Sequence, residues 1–125
     1  MVQYFTKEFF DELAGRVNTD PEWTKKGATI TAKLMFTITD RAKSYLLDIQ
    51  SGKVAATEVA ADVPADFKFE GPYEAWATLG RAEKDFQSLV IGGKIKFRGS
   101  MPKMMGMLSQ LNRITLLAQQ MPKEF

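Results

Sequence analysis

Lysines, carboxylates, three tyrosines and unassisted hydroxyls are the side chains with which this chain could do chemistry, because it contains neither cysteine nor histidine. Without cysteine there is no thiol nucleophile, disulfide framework or Cys-ligated zinc or iron–sulfur centre. Without histidine there is no Ser–His or Cys–His pair and no imidazole-bound metal. Ser51, Ser88, Ser100 and Ser109 therefore lack an activating base, and no recognised spacing makes a Ser–Lys pair. The neighbouring carboxylates Asp11/Glu12 and Glu83/Asp85 fall on expected helix surfaces, whereas acid–base work needs a carboxyl in a closed pocket. The glycines of Ile91-Gly92-Gly93-Lys94-Ile95 suggest a phosphate loop, but Ile follows the lysine where Ser or Thr is needed, and a strand follows where a helix is needed. A helix stop and a turn account for them. The inventory predicts no catalytic residue, no metal site and no cofactor.

Two other patterns could bind rather than react. Lys94, Lys96 and Arg98 alternate along an expected strand, with Ile95 and Phe97 on its other face. A nucleic-acid sheet needs its rings on the basic face, so no nucleic-acid partner is expected. Five of the seven methionines (Met101, Met104, Met105, Met107 and Met121) fall in the last 25 residues. Flexible, polarisable methionine suits a wall that adapts to variable apolar ligands, and it equally suits plain core filling. Both readings fit.

The elements that must position these residues follow from periodicity. Thr6 caps a helix carrying Phe9, Phe10, Leu13 and Val17 at three- and four-residue spacing, and Asp20-Pro21 starts a short turn of helix that Gly27 ends. From Ala28 to Thr39, Ile30, Ala32, Leu34, Phe36 and Ile38 alternate with Thr29, Thr31, Lys33, Met35 and Thr37, predicting a half-buried strand with one mostly wet face. A second strand around Ser44 to Gln50 and a third from Lys53 to Ala61, joined through Ser51-Gly52, complete an antiparallel meander. Short strands follow at Asp66 to Glu70 and Lys94 to Arg98, with helices through Trp76 and Leu79 and through Phe86 and Leu89 between them. Ser100 caps one last helix in which Met104, Met107, Leu111, Ile114, Ala118 and Met121 form the apolar stripe. The 125 residues make a single α+β domain with helices on one face of the strands.

The order of these pieces carries a resemblance. Pro64-Ala65-Asp66-Phe67 leads to Gly71-Pro72-Tyr73-Glu74-Ala75-Trp76, and Gly93-Lys94-Ile95-Lys96-Phe97-Arg98-Gly99-Ser100-Met101 runs into a Met/Leu helix. With the preceding meander, the Asp40 turn and the Ser51-Gly52-Lys53 hairpin, the chain resembles the sterol carrier protein family, the type-two non-specific lipid-transfer domains, from about Phe5 to Met121. The resemblance implies a five-stranded, largely antiparallel sheet, helices on one face and an apolar tunnel between them. It also implies non-catalytic binding and transfer of a fatty acid, acyl-CoA, sterol or other lipid. Met101, Met104, Met105 and Leu108 would then be tunnel wall on the closing helix. Trp76, Leu79 and Phe86 would come from the middle helices, Ile38, Leu47 and Phe97 from strands, and Gln110 would meet a ligand head group. An alternative role within the same fold is an accessory module that holds an apolar intermediate, such as a quinone precursor, for an enzyme complex.

Charge suggests how cargo is exchanged. The total of +2 conceals residues 1–93, with 11 Lys and Arg against 14 Asp and Glu, and residues 94–123, with six cations and no acid. Lys94, Lys96, Arg98, Lys103 and Arg113 of this basic stretch are expected to dock on an anionic membrane surface, each engaged charge contributing about 1 kcal/mol. No apolar run approaches the ~18 residues of a membrane span, the first residues lack a basic leader, and Lys123-Glu124-Phe125 is not a peroxisomal address. A cytoplasmic location is expected. The oligomeric state is left open by the sequence.

Overall fold

A computed structural model describes residues 1–125. Its main sheet is built from β2 (Ala32–Ile38), β3 (Lys43–Gln50), β4 (Lys53–Val59), β5 (Phe67–Gly71) and β6 (Lys96–Gly99), in the order β4-β3-β2-β5-β6. The meander pairs antiparallel as its alternation predicts, and β6 pairs antiparallel with β5. Only β2 and β5 run parallel, with Phe36 opposite Phe69, so the sheet is mixed but mostly antiparallel. A second, two-stranded sheet joins β1 (Val2–Gln3) in parallel to β7 (Lys123–Glu124), a pairing the sequence patterns do not reveal.

The meander hairpin is set by backbone conformation. Ser51 and Gly52 both take positive φ, 48° and 84°, which is the two-residue turn whose twist matches paired strands. The Gly52 amide donates to the Ile30 carbonyl at 2.9 Å, and a side chain at Gly52 would meet the Gly27 carbonyl oxygen at 2.8 Å. The Ile30 amide donates to the Gly27 carbonyl at 2.9 Å, closing a turn at Ala28–Thr29, and β2 starts at Ala32, later than alternation predicts. Likewise β6 starts at Lys96 because the Lys94 and Ile95 amides both donate to the Leu89 carbonyl, at 3.0 and 3.1 Å.

Helices pack on one face. Thr6 and Asp20 cap α1 (Lys7–Thr19) and α2 (Pro21–Lys26) as expected, their side chains accepting from the Phe9 and Trp23 amides. α3 (Tyr73–Gly80) lacks a cap of its own, and Asp40 in the β2–β3 turn supplies one by accepting from the Tyr73 amide at 2.9 Å. α4 (Phe86–Ile91) is capped by Asp85. The expected last helix is two: α5 (Met101–Gly106), capped by Ser100, and α6 (Leu108–Gln120). Gly106, a poor helix former, stands before Met107, whose backbone leaves the helical region at φ −107° and ψ 9°.

The outer face of the sheet corrects the expectation of a wet side. Met35 and Thr37 are buried, the latter in a 2.7 Å hydrogen bond with Ser44. The link from β4 to β5 must cross the sheet between non-adjacent strands, and it runs over this face, where Lys68 donates to the Ala61 carbonyl. No helix is long and apolar enough to cross a membrane.

Gly52→Ala tests the hairpin constraint. It forces a Cβ into left-handed backbone and against Gly27, so the urea midpoint should fall by an amount equivalent to about 1–3 kcal/mol with an unchanged slope.

An apolar cavity under the last helix

The core between helices and sheet is dense in rings. Phe5 and Phe36 flank the Trp76 indole, with centroids 4.7 and 5.9 Å away, and Phe86 meets Phe69 edge-on at 4.9 Å. The Trp76 indole N–H donates to the Thr37 carbonyl at 2.9 Å and the Gly71 carbonyl at 3.1 Å, while its own carbonyl accepts from the Tyr4 hydroxyl at 2.6 Å. Burial pushes the Tyr4 phenol well above its usual range, so it stays protonated and donating.

Between this ring cluster and α6 lies a cavity of about 50 Å³. One wall is five aromatic rings and a leucine: Tyr4 and Phe5 from the N-terminal segment, Phe9, Phe10 and Leu13 from α1, and Phe36 from β2. Trp76, Leu79 and Phe86 close a second side, and Leu111, Ile114 and Ala118 of α6 the third. Its few polar lining groups are already occupied. Thr115 donates to the Leu111 carbonyl at 2.9 Å, and the Gln119 amide donates to the Leu79 carbonyl at 2.9 Å. Water-sized occupancy needs roughly 10–15 Å³ and benzene about 150 Å³. The cavity is thus closed to an acyl chain in this conformation.

Of the residues that the sequence nominates for a tunnel wall, Trp76, Leu79 and Phe86 line this cavity. Ile38 and Leu47 are fully buried in the surrounding core, and Phe97 packs against it beside Phe67 and Phe69. Met104 is buried and Leu108 half-buried, whereas Met101 and Met105 are each 48% exposed on α5. The Gln110 amide donates to the Lys26 carbonyl at a long 3.4 Å, and its Oε1 is buried with no partner. The N-terminal rings and the middle of α6 are lining that sequence reasoning did not assign to a site. The three-and-four spacing of Phe9, Phe10 and Leu13 was the available signal for α1, but nothing local marks Tyr4 or Phe5.

The cations expected to dock do not share a face. Lys96 and Arg98 project from the outer face of the sheet, where Arg98 pairs with Glu70 at 3.0 Å, and Lys94 sits in a groove with Glu74 and Lys84. Arg113 is turned inward. It grips Asp20 through two hydrogen bonds, at 2.6 and 2.8 Å, and pairs with Glu22 at 3.1 Å. That fork pins α6 to α2. The hydrogen-bonded Arg113 guanidinium, assisted by the Trp23 amide, holds the Asp20 carboxyl below its usual range despite burial. No cluster of three or more carboxylates comes together that could hold a metal ion.

The model of the SCP-2 sterol transfer family matches residues 10–111. No curated protein matches by sequence. Among solved structures, the chain is similar to a crystal structure of sterol carrier protein 2, with a TM-score of 0.85 and 16% identity over 96% of this chain and 100% of that one. A Thermus thermophilus protein described as possibly a sterol carrier protein gives a TM-score of 0.80 and 16% identity, over 99% and 93% of the two chains. A structure described as a UbiJ-SCP2 ubiquinone synthesis protein gives 0.65 and 14%, over 93% of each.

The Asp20–Arg113 fork has a pH signature. A depressed native carboxyl adds stability that is present above the unfolded value of about 3.9 and is lost as pH falls through the native one. Asp20→Asn should therefore destabilise by about 1–3 kcal/mol at pH 7, measured by urea unfolding, and show a smaller further loss than the parent below pH 4.

Proposed function

The chain belongs to the SCP-2 sterol transfer family, and from that membership we propose that it binds a hydrophobic molecule between its helices and sheet and carries it, unreacted, within the cytoplasm. The observation that carries this reading is the apolar cavity: 12 of its 15 lining residues are hydrophobic, and the lining Thr115 and Gln119 side chains already donate to backbone carbonyls. Such a site offers burial and no reactive group. Trp76, Leu79 and Phe86 form the wall that cargo touches first, backed by Ile38, Leu47 and Phe97. Met104 and Leu108 lengthen it toward α5, and the unpartnered Gln110 Oε1 offers an acceptor to a hydroxyl-bearing head group.

A cavity of about 50 Å³ must widen to take an acyl chain. A sixteen-carbon chain removed from water gains roughly 10–12 kcal/mol at about 0.8 kcal/mol per methylene. Lost ligand freedom and the separation of α6 side chains from the ring cluster take several kcal/mol back. Micromolar to nanomolar affinity remains within reach. A second reading uses the same cavity to hold an apolar intermediate for an enzyme complex. Its support is that one fold neighbour is described as a ubiquinone synthesis protein.

Native mass spectrometry of the purified protein should find an apolar ligand, and solvent extraction should identify it; an isoprenoid quinone precursor there favours the second reading. After delipidation, palmitate at a hundred times its Kd should raise Tm by about 10 °C. Ile114→Phe, which fills the cavity, should weaken palmitate binding at least about tenfold while the fold persists. No co-purified ligand, together with no Tm shift from palmitate, palmitoyl-CoA or cholesterol, would overturn the carrier reading.

A further inference from the structure

At the C-terminal end of α6 the cavity is lined by Leu79, Gly80, Ala118 and Gln119, together with the Tyr4 ring. The Phe125 ring lies on two of these residues. Its centroid is 4.9 Å from that of Tyr4, and a Cβ placed on Gly80 would meet it at 2.9 Å. Its other side is open, Phe125 being 50% exposed. Cavity and solvent are thus separated here by one ring. Tyr4 is fixed by its bond to the Trp76 carbonyl, whereas Phe125 has ring packing and two cations beside it. Arg81 stands 5.5 Å and the Lys123 ammonium 5.6 Å from the ring centre, near the outer limit of about 6 Å for such contacts.

The two cations differ. Arg81 is already balanced by Glu74 at 2.8 Å and Glu83 at 3.3 Å. Lys123 is half-buried and pairs with no carboxylate. Its Nζ donates to the Gln119 and Met121 carbonyls, at 3.0 and 3.1 Å, which leaves one N–H of an ammonium free. Burial pushes its pKa below the usual lysine range, as befits a charge without a counter-charge. Lys123 and Phe125 both lie beyond residue 111, where the match to the family ends.

We propose that Phe125 plugs a portal to the cavity, and that the cargo admitted there is a carboxylate-headed acyl chain whose head group binds Lys123. The ring already shows what this place accepts: an apolar group lying on Tyr4 and Gly80 with a cation at its rim. An acyl chain supplies the apolar part, and a carboxylate answers the uncompensated charge. One free N–H suits one carboxylate oxygen, whereas a phosphate needs more donors than remain. The tail then follows α6 past Ala118, Ile114 and Leu111, roughly 10 Å at 1.5 Å per residue. A hydroxyl lipid headed toward Gln110, in the first turn of α6, lies in the reverse direction and gains nothing from Lys123. This portal rests on the carrier reading and names the class of its cargo.

Laurate and 1-dodecanol, equal in chain length, are titrated into delipidated protein and followed by tryptophan fluorescence. Lys123→Met keeps the apolar stem and removes the charge, so it should weaken laurate about tenfold and 1-dodecanol by less than about twofold. Phe125→Ala should speed release of both ligands at least about tenfold in stopped-flow transfer to albumin. Phe125→Leu, a smaller plug, should give an intermediate rate and covers the case in which the alanine variant loses its fold. Equal weakening of both ligands by Lys123→Met, no weakening of laurate, or unchanged release from the folded Phe125 variants overturns the proposal while the carrier reading stands. A parent protein that binds neither ligand overturns both.

Discussion

The indole N–H of Trp76 is the point on which the architecture turns. It donates to carbonyls on β2 and at the end of β5, the one parallel pair in the sheet, from a helix that follows β5 directly. Left unpaired in that interior it would cost about 1–3 kcal/mol, so α3 has one favoured seat on the sheet. The Tyr4 hydroxyl then uses the Trp76 carbonyl to seat the N-terminal segment. Sheet, helix layer and chain start thus meet at one side chain, and the ring cluster around it is fixed rather than fluid.

The opposite wall is held differently. α6 presents Leu111, Ile114 and Ala118 to the cavity, its lining Thr115 and Gln119 being bonded to backbone carbonyls, and directional ties hold it at mid-helix and near its C-terminus: Arg113 on Asp20 and Glu22, and Gln119 on the Leu79 carbonyl. Between them, contact with the rings is apolar and without preferred geometry. An apolar guest can replace such contacts with its own, whereas it could not replace a hydrogen bond. Polar ties thus stand beside an apolar lining that makes no directional bond to the ring cluster.

How much of this is legible in the sequence depends on the range of the interaction. The alternation from Ile30 to Ile38 reveals β2 and its inward face, because period two is a local property. It misassigns Met35 and Thr37, because what covers them is a crossover arriving from β4. The stripe from Met104 to Met121 keeps its spacing straight through the break at Met107, so periodicity alone reads one helix where Gly106 allows two. Arg113 reads as a free cation because its partner, Asp20, lies 93 positions away. Tyr4 and Phe5 reach the cavity wall through partners far along the chain, the β1–β7 pairing and the Tyr4 bond to the Trp76 carbonyl 72 positions on. Family resemblance supplied the idea of an apolar chamber, and the structure supplies which rings enclose it.

That terminal pairing has a mechanical side. β1 and β7 are parallel, so tension applied at residue 1 and residue 125 pulls the two strands past one another rather than peeling them apart. The bond from the Tyr4 amide to the Glu124 carbonyl at 2.7 Å and the packing of Phe125 on the Tyr4 ring, 4.9 Å between centroids, share that stress. Tyr4 in turn grips Trp76. Force on the chain ends is therefore transmitted along two side chains to the aromatic wall, and whatever tugs on either terminus also strains the chamber.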